Sequence, residues 1–291
     1  MKHSMTGAKV NHYLKLVKFS HTVFAMPFAF IGYFIAVNQG YELNWITLCM
    51  VILCMVFARN AAMAFNRYAD REIDLKNPRT ALREIPKGII NPGSALKFVV
   101  LNSIAFLTTT AFINKLTFCL SPVALFLILG YSITKKFTFL CHFVLGLGLS
   151  LAPIGAYLAV TGKFMWLPVI FSVIVLFWVS GFDIIYALQD EQFDKTENLN
   201  SIPAFIGIKQ AILVSTMIHI ICAVLVLMAG FLGNFGKWYW IGAFCFIALL
   251  AYQHKLVKPN DLSRLNHAFF TANGFASLIF AVFTVCDLVG H

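Results

Sequence analysis

The sequence predicts an all-α integral membrane protein, with nine transmembrane helices arranged around a central cavity. Its 291 residues are 60% hydrophobic and only 12% charged, with a mean hydropathy of +0.81. Soluble domains carry about 25% charged residues. Apolar runs of the length that crosses a bilayer as a helix, roughly 17 to 25 residues, recur along the whole chain. The lipid bilayer is therefore the first expected partner.

Nine apolar segments account for most of the chain. The first follows a basic N-terminus, as a signal peptide would. It is too long for a typical signal core and lacks a convincing small-residue cleavage site, so we expect a retained helix. The third and fourth are separated by little more than Asn114-Lys115, which makes this boundary the least distinct. The segments are 19–37, 45–66, 95–113, 117–133, 140–160, 166–189, 204–229, 238–254 and 267–288.

The basic residues predict the orientation. With a cytoplasmic N-terminus, 18 of the 22 Lys and Arg residues lie on the cytoplasmic side. The opposite side receives Lys115, Lys163 and Lys237, and Arg59 lies within the second span. Cytoplasmic loops are enriched in Lys and Arg, so this distribution favours a cytoplasmic N-terminus and explains the net charge of +10 without nucleic acid. We expect one membrane domain over residues 1–291, in the inner membrane of a bacterium.

Two acidic motifs end the second and the sixth apolar segments, both on the predicted cytoplasmic side. In each, a polar residue precedes two aspartates at a spacing of four. Together they use four of only 12 acidic residues in the chain. The first motif is Asn66, Asp70 and Asp74, and the second is Tyr186, Asp190 and Asp194. Corresponding residues of the two motifs are 120 positions apart in all three cases. This constant offset suggests a duplicated helical unit, at about 45–113 and 166–229.

The motifs favour a divalent cation and an anionic partner. Residues four apart share a helix face, so each motif presents two carboxylates together. Oxygen ligands without His or Cys favour Mg²⁺ over zinc, and the eight histidines and seven cysteines show no metal-ligand spacing. Cations near the motifs could contact a polyanion. These are Arg67, Arg71, Arg79, Lys135 and Lys136. A charged mouth on an apolar bundle suits a diphosphate with a long hydrocarbon tail.

Asp183 is a separate functional candidate. It lies two helical turns before Asp190, within the apolar part of the sixth segment. A carboxylate at such a depth is costly, so a functional role is the default hypothesis.

At these motifs the chain resembles the UbiA superfamily of intramembrane aromatic prenyltransferases, whose members carry N-x-x-x-D-x-x-x-D and D-x-x-x-D. The other matching stretches are 18–28, 59–67, 70–80, 131–138 and 181–190. The resemblance is strongest to the 4-hydroxybenzoate polyprenyltransferase branch, or its relative in menaquinone synthesis through the futalosine route. Many members have Asn-Asp where this chain has Asn66-Arg67, which leaves the metal-binding pattern whole.

The resemblance implies a reaction and a set of site residues. The reaction is Mg²⁺-dependent transfer of a polyprenyl group from polyprenyl diphosphate to an aromatic acid. With 4-hydroxybenzoate the product is 3-polyprenyl-4-hydroxybenzoate, in ubiquinone or menaquinone biosynthesis. The implied Mg²⁺ ligands are Asn66, Asp70, Asp74, Asp190 and Asp194. The implied diphosphate-binding residues are Asn66, Arg67, Arg71, Arg79 and Lys135. The catalytic candidates are Asp190, as first choice to assist at the phenol, with Asp183 and Tyr186. Candidates for binding the aromatic acid are Lys18, His21 and Arg59.

Three alternatives stay open at this point. In two of them the protein is still a prenyltransferase, but the acceptor is a naphthoate or a heme- or chlorophyll-type molecule instead of 4-hydroxybenzoate. An ion-coupled secondary transporter belongs to another class. Transport sites lie near the bilayer midplane, whereas the motif aspartates are expected at the cytoplasmic mouth, which disfavours the transporter. Prenyl chain length and oligomeric state are not determined by the motifs.

Overall fold

The computed structural model describes residues 12–13, 16–17 and 25–290, and over these ranges the protein is helical. One isolated β-bridge joins Lys258 and Asp261. Within these ranges, nine helices of 13 residues or more form the body of the molecule. They are α1 (Met26–Asn38), α2 (Trp45–Ala69), α3 (Pro92–Ala111), α4 (Lys115–Thr134), α5 (Cys141–Thr161), α6 (Trp166–Ala187), α7 (Ile208–Leu232), α8 (Lys237–Leu256) and α9 (Asn273–Gly290).

The least distinct boundary of the sequence is a true helix break. α3 ends at Ala111, and Asn114 caps α4 by accepting a hydrogen bond from the Thr117 N–H at 2.9 Å. The amide of Asn114 also donates to the Leu158 carbonyl of α5 at 2.8 Å. Because this side chain satisfies the start of one helix and contacts another, the chain turns here.

Several of the helices can cross a membrane. Among the described residues, seven helical stretches are long and apolar enough to do so: α2, α3, α4, α5, α7, α9, and α6 with its extension to Thr196. α1 is apolar but shorter, and α8 falls outside this set. The protein is therefore a multi-pass membrane protein, while nine spans and a cytoplasmic N-terminus stay predictions.

A dense aromatic core joins α1, α6, α8 and α9. Its fully buried aromatic side chains include Phe28, Phe171, Trp178, Phe246 and Phe280. The rings of Phe28 and Trp178 lie 5.2 Å apart, a favourable distance for an aromatic pair. α1 also lies directly against α5, where a Cβ on Gly32 would come within 1.9 Å of the Pro153 carbonyl oxygen. We infer that only glycine fits at residue 32.

An apolar cavity of about 340 Å³ lies among α2, α3, α4 and α5. Most of its lining is aliphatic, with Phe106 as one of the aromatic contributors. The lining also includes the charged side chain of Arg59 and the phenol of Tyr131. Four of the long helices thus enclose an apolar cavity, while a central cavity surrounded by nine transmembrane helices stays a prediction.

Asp287 is a buried acid with a structural explanation. Its carboxylate accepts the backbone N–H groups of Gly236 at 2.6 Å, Trp238 at 3.0 Å and Tyr239 at 3.3 Å. These are the unpaired donors at the N-terminus of α8, where a negative charge is stabilised. The side chain therefore fixes α9 against the start of α8.

Candidate active site

The first acidic motif lies at a helix break. α2 ends at Ala69, and a short helix, Arg71–Lys76, begins one residue later. Asp70 lies between them, with its N–H bonded to the Asn66 carbonyl at 3.0 Å. The first motif therefore does not lie on one continuous helix, because α2 stops before Asp70. The Asp74 N–H still donates to the Asp70 carbonyl at 2.7 Å, so the two residues stay one turn apart.

The second acidic motif repeats this design. α6 ends at Ala187, a single 3₁₀ turn covers Leu188–Asp190, and a short helix, Glu191–Thr196, follows. Here too the motif does not lie on one continuous helix, because the chain tightens into the 3₁₀ turn before the second aspartate. Both motifs are thus built as a long helix, a break and a short helix.

Cations hold the carboxylates of the first motif. Lys135 contacts Asp70 Oδ2 at 3.0 Å, and the Asn66 amide donates to the same oxygen at 3.3 Å. Arg83 donates to both oxygens of Asp74, at 2.7 and 2.8 Å. Arg83 was not among the residues that the sequence predicted. Its partner lies nine residues away across an irregular loop, where helical periodicity gives no signal.

The loop after the first motif reaches the second motif. Arg79 forms a two-point contact with Asp190, at 3.0 Å from Nε and 2.5 Å from a terminal nitrogen. Its other terminal nitrogen donates to the Tyr186 hydroxyl at 3.2 Å, and the Asn77 amide donates to Asp190 at 3.1 Å. Burial alone would lower the pKa of Arg79, but the contacts with Asp190 and Tyr186 outweigh it and raise the pKa. Arg79 thus stays firmly charged and holds the loop after the first motif against Tyr186 and Asp190 of the second.

Lys135 connects the first motif to the segment that follows the second. While its side chain contacts Asp70, its carbonyl accepts the Asn200 N–H at 2.7 Å. The next residue, Ser201, donates its hydroxyl to Asp194 at 2.8 Å. The four motif aspartates therefore belong to one connected polar network at one end of the bundle.

Asp70 offers an oxygen that suits a cation. Its Oδ1 is buried and has no hydrogen-bond partner. Burial raises the pKa of the Asp70 carboxyl, and the charge and hydrogen bond of Lys135 oppose the rise. An unsatisfied buried acceptor costs about 1–3 kcal/mol, which a bound cation would relieve. In the described part of the chain, no group of three or more His, Cys, Asp or Glu side chains is placed to hold a metal. The donors present are carboxylate and amide oxygens, the set that Mg²⁺ prefers.

Asp183 has a partner that the sequence did not reveal. His142 Nδ1 lies 2.7 Å from Asp183 Oδ2. The histidines show no metal-ligand spacing in the sequence, and His142 is alone in its apolar segment. The sequence feature that could have pointed to His142 is its position near the start of the fifth apolar segment, shortly after Lys135. In the structure it lies in the first turn of α5.

Arg59 is the basic residue of the apolar cavity. It lines the wall beside Tyr131, and its Nε is buried without a hydrogen-bond partner. A guanidinium group in an apolar cavity suits a carboxylate, because a charged hydrogen bond would satisfy both groups.

The other predicted basic residues are placed differently. Arg67 is 4% exposed, with its Nε unpartnered. Arg71 turns back to the Tyr68 carbonyl at 2.9 Å and to Glu72, so it contacts none of the motif aspartates. Lys18 and His21 lie outside the described residues.

The fold and the site together define a class: a multi-pass helical membrane protein with a network of carboxylates and cations at one end and an apolar cavity among its helices. The model of the UbiA prenyltransferase family matches residues 25–278. The chain therefore belongs to the UbiA prenyltransferase family, and it is a membrane-embedded transferase.

Known proteins are similar over most of the chain. A 4-hydroxybenzoate octaprenyltransferase from Nitrosospira multiformis is 32% identical over 243 residues, which is 80% of each chain. The apo structure of a UbiA homologue from Aeropyrum pernix K1 is 27% identical, with a TM-score of 0.84 over 92% of this chain and 98% of that one. A UbiA homologue from Archaeoglobus fulgidus bound to DMAPP and Mg²⁺ shares the fold, with a TM-score of 0.74 at 19% identity, over 95% and 99% of the two chains. The predicted family and enzyme class are confirmed, which decides against the transporter.

Proposed function

We propose that the protein transfers a polyprenyl group from polyprenyl diphosphate to 4-hydroxybenzoate, in a Mg²⁺-dependent reaction. One observation carries the proposal: the network around Asp70 and Asp190 and the apolar cavity with Arg59 occur in one helical bundle. The relatives named for this acceptor support it, as does the neighbouring structure that holds a prenyl diphosphate and Mg²⁺. A naphthoate acceptor is the alternative within the same chemistry.

The charged end of the bundle would bind the diphosphate. When bound, Mg²⁺ supplies positive charge that stabilises the leaving diphosphate. The carboxylates would then exchange their cations for the metal, and the released Arg79, Arg83 and Lys135 would contact phosphate oxygens. Such preplaced charges lower the barrier, because little reorganisation is needed during the reaction. The residues proposed to hold Mg²⁺ are Asn66, Asp70, Asp74, Asp190 and Asp194.

The remainder of the substrates would occupy the apolar interior. Polyprenyl chains are hydrocarbon, and the walls formed by α2 to α5 offer them aliphatic contacts. The carboxylate of the aromatic acid would bind Arg59, whose Nε lacks a partner. This arrangement gives each end of each substrate a chemically matched position.

The bond changes then follow from these positions. The allylic C–O bond breaks and the diphosphate leaves with the electron pair. The ring carbon ortho to the hydroxyl forms a bond with the allylic carbon, and the C–H bond at that carbon then breaks as the ring regains aromaticity. The net loss is one proton, because the proton taken from the phenolic oxygen during attack is regained there. Asp183 is better placed than Asp190 to accept the phenolic proton, because Asp190 is proposed to hold Mg²⁺ and both of its oxygens accept from Arg79 before the metal binds. Asp183 is bonded through one oxygen to His142, and its side chain is 24% exposed. The Tyr186 hydroxyl holds Arg79 in place.

We also propose that the site opens to the cytoplasm from the inner membrane of a bacterium. A Leu82→Cys variant tests the orientation, because Leu82 is 70% exposed in the loop after the first motif. In intact cells, a membrane-impermeant maleimide should label Lys163→Cys and leave Leu82→Cys unlabelled. In inverted vesicles the pattern should reverse. Labelling of Leu82→Cys from outside intact cells would refute the orientation.

The internal repeat, at about 45–113 and 166–229, stays a prediction.

Product identification tests the proposed reaction. Purified protein is incubated with Mg²⁺, a labelled polyprenyl diphosphate and one aromatic acid at a time, and the product is identified by mass spectrometry. We expect 3-polyprenyl-4-hydroxybenzoate and release of diphosphate. Product from a hydroxynaphthoate alone would move the assignment to the alternative acceptor.

A further inference from the structure

His142 lies at the junction of three functional segments. It occupies the first turn of α5, and its side chain is 3% exposed. On one side its ring meets Asp183 of α6, and on the other it meets the backbone of Ile202, beyond the second motif. The segment is also tied to the Lys135 loop, because Asn200 donates to the Lys135 carbonyl.

The two contacts of the ring determine where its proton lies. The Ile202 N–H donates to His142 Nε2 at 3.3 Å, so Nε2 is unprotonated. A neutral imidazole then carries its proton on Nδ1, which donates to Asp183 Oδ2 at 2.7 Å. The ring is thus held in one tautomer and one orientation, with Asp183 as the recipient of its hydrogen bond.

Close packing of α5 and α6 fixes this pair. A Cβ on Gly146 would lie 2.5 Å from the Ser180 hydroxyl and 2.6 Å from the Leu176 carbonyl. The Ser180 hydroxyl also lies 3.3 Å from the His142 carbonyl. Since the two helices touch at these points, the distance between His142 and Asp183 has little freedom.

The same ring is connected to the proposed metal end. Ile202 follows Ser201, whose hydroxyl donates to Asp194. One imidazole therefore links Asp183, the proposed acceptor of the phenolic proton, to the segment that positions Asp194, a proposed Mg²⁺ ligand.

We propose that His142 is a positioning residue that orients the Asp183 carboxylate toward the acceptor phenol and couples it to the second motif. The inference rests on the proposed function, in which Asp183 accepts the phenolic proton. Hydrogen-bonded partners commonly fix the orientation of the group that does the chemistry. Without the ring, the carboxylate would be free to rotate away from the acceptor.

Variants of His142 separate positioning from a structural role. His142→Leu removes both hydrogen bonds, and we expect kcat to fall about 10- to 100-fold, less than the roughly 10²- to 10⁴-fold that loss of the acid or base itself would cost. KM for polyprenyl diphosphate should change less than about threefold, since that site is made by other residues. His142→Gln offers an N–H to Asp183 and a carbonyl to Ile202, so its kcat should recover to within about fivefold of wild type.

A second background shows whether His142 acts through Asp183. In Asp183→Asn, adding His142→Leu should lower kcat little further, because the carboxylate it positions is already gone. His219→Gln is the matched control, since His219 is also buried, but its ring contacts His254 and the Trp178 carbonyl rather than a motif residue. Its kcat should stay near that of wild type. If His142→Leu is not recovered folded, His142→Asn is used instead. The asparagine side chain is too short to reach both Asp183 and the Ile202 N–H.

The outcomes distinguish this inference from the proposed function. A wild-type protein that transfers the prenyl group to either acid, with unchanged kcat in His142→Leu, overturns the role of His142 alone. Equal losses from His142→Leu in the wild-type and Asp183→Asn backgrounds also overturn it. A wild-type protein that prenylates neither acid overturns the proposed function, and the role of His142 falls with it.

Discussion

Replacing Asp70 or Asp190 with alanine should remove nearly all prenyl transfer, with losses of about 10²- to 10³-fold or more in kcat, as for other preorganised charge-stabilising groups. Asp70 is 3% exposed and holds Lys135, while Asp190 holds Arg79 through two hydrogen bonds. Each substitution deletes a proposed metal ligand and also frees a cation. The measurement is initial rate with labelled polyprenyl diphosphate in detergent-purified protein.

The control for these variants is Asp261→Ala, because Asp261 is exposed and lies near the start of the last helical region. It should keep the wild-type rate. All three variants should be recovered from the membrane with a wild-type elution profile. Wild-type turnover in Asp70→Ala or Asp190→Ala would refute the assignment of the two motifs to the diphosphate.

Replacing Arg59 with glutamine should raise KM for the aromatic acid about 10- to 100-fold, because a hydrogen bond to a charged group contributes about 1.5–3 kcal/mol. The Nε of Arg59 has no partner in the cavity, so an acceptor carboxylate would satisfy it. KM for polyprenyl diphosphate should change by less than about threefold, since Arg59 contacts neither motif aspartate pair. Steady-state kinetics with each substrate varied in turn gives both constants.

Two controls make the Arg59 result specific. Lys163→Gln removes a cation from an exposed loop and should leave both KM values unchanged. With 4-hydroxybenzamide, which has no carboxylate, the difference between wild type and Arg59→Gln should largely disappear. An Arg59→Gln variant with the wild-type KM for 4-hydroxybenzoate would place the carboxylate elsewhere.

Sequence patterns predicted the long helices well because span length is set by the bilayer. The break at Asn114 was visible as a short polar interruption between two apolar runs. The breaks inside the acidic motifs were not visible. A spacing of four is compatible with a continuous helix, and nothing local in the sequence announces that Asp70 or the turn at Leu188–Asp190 interrupts it.

The partners of the carboxylates could be predicted only in part. Arg79 and Lys135 were expected near a polyanion because of their charge, yet their pairing with Asp190 and Asp70 depends on how distant loops fold together. Asp190 lies 111 residues after Arg79, and Asp183 lies 41 residues after its partner in α5. No short-range period connects residues so far apart, so these contacts come from tertiary packing.

The rate of 3-polyprenyl-4-hydroxybenzoate formation against free Mg²⁺ tests the central claim most directly. The all-oxygen donor set and the buried, unpartnered Asp70 Oδ1 fit a divalent cation. We expect no product in EDTA and full recovery of the rate when Mg²⁺ is added back in excess of the chelator. An unchanged rate in EDTA would contradict a metal-assisted diphosphate site at the two motifs.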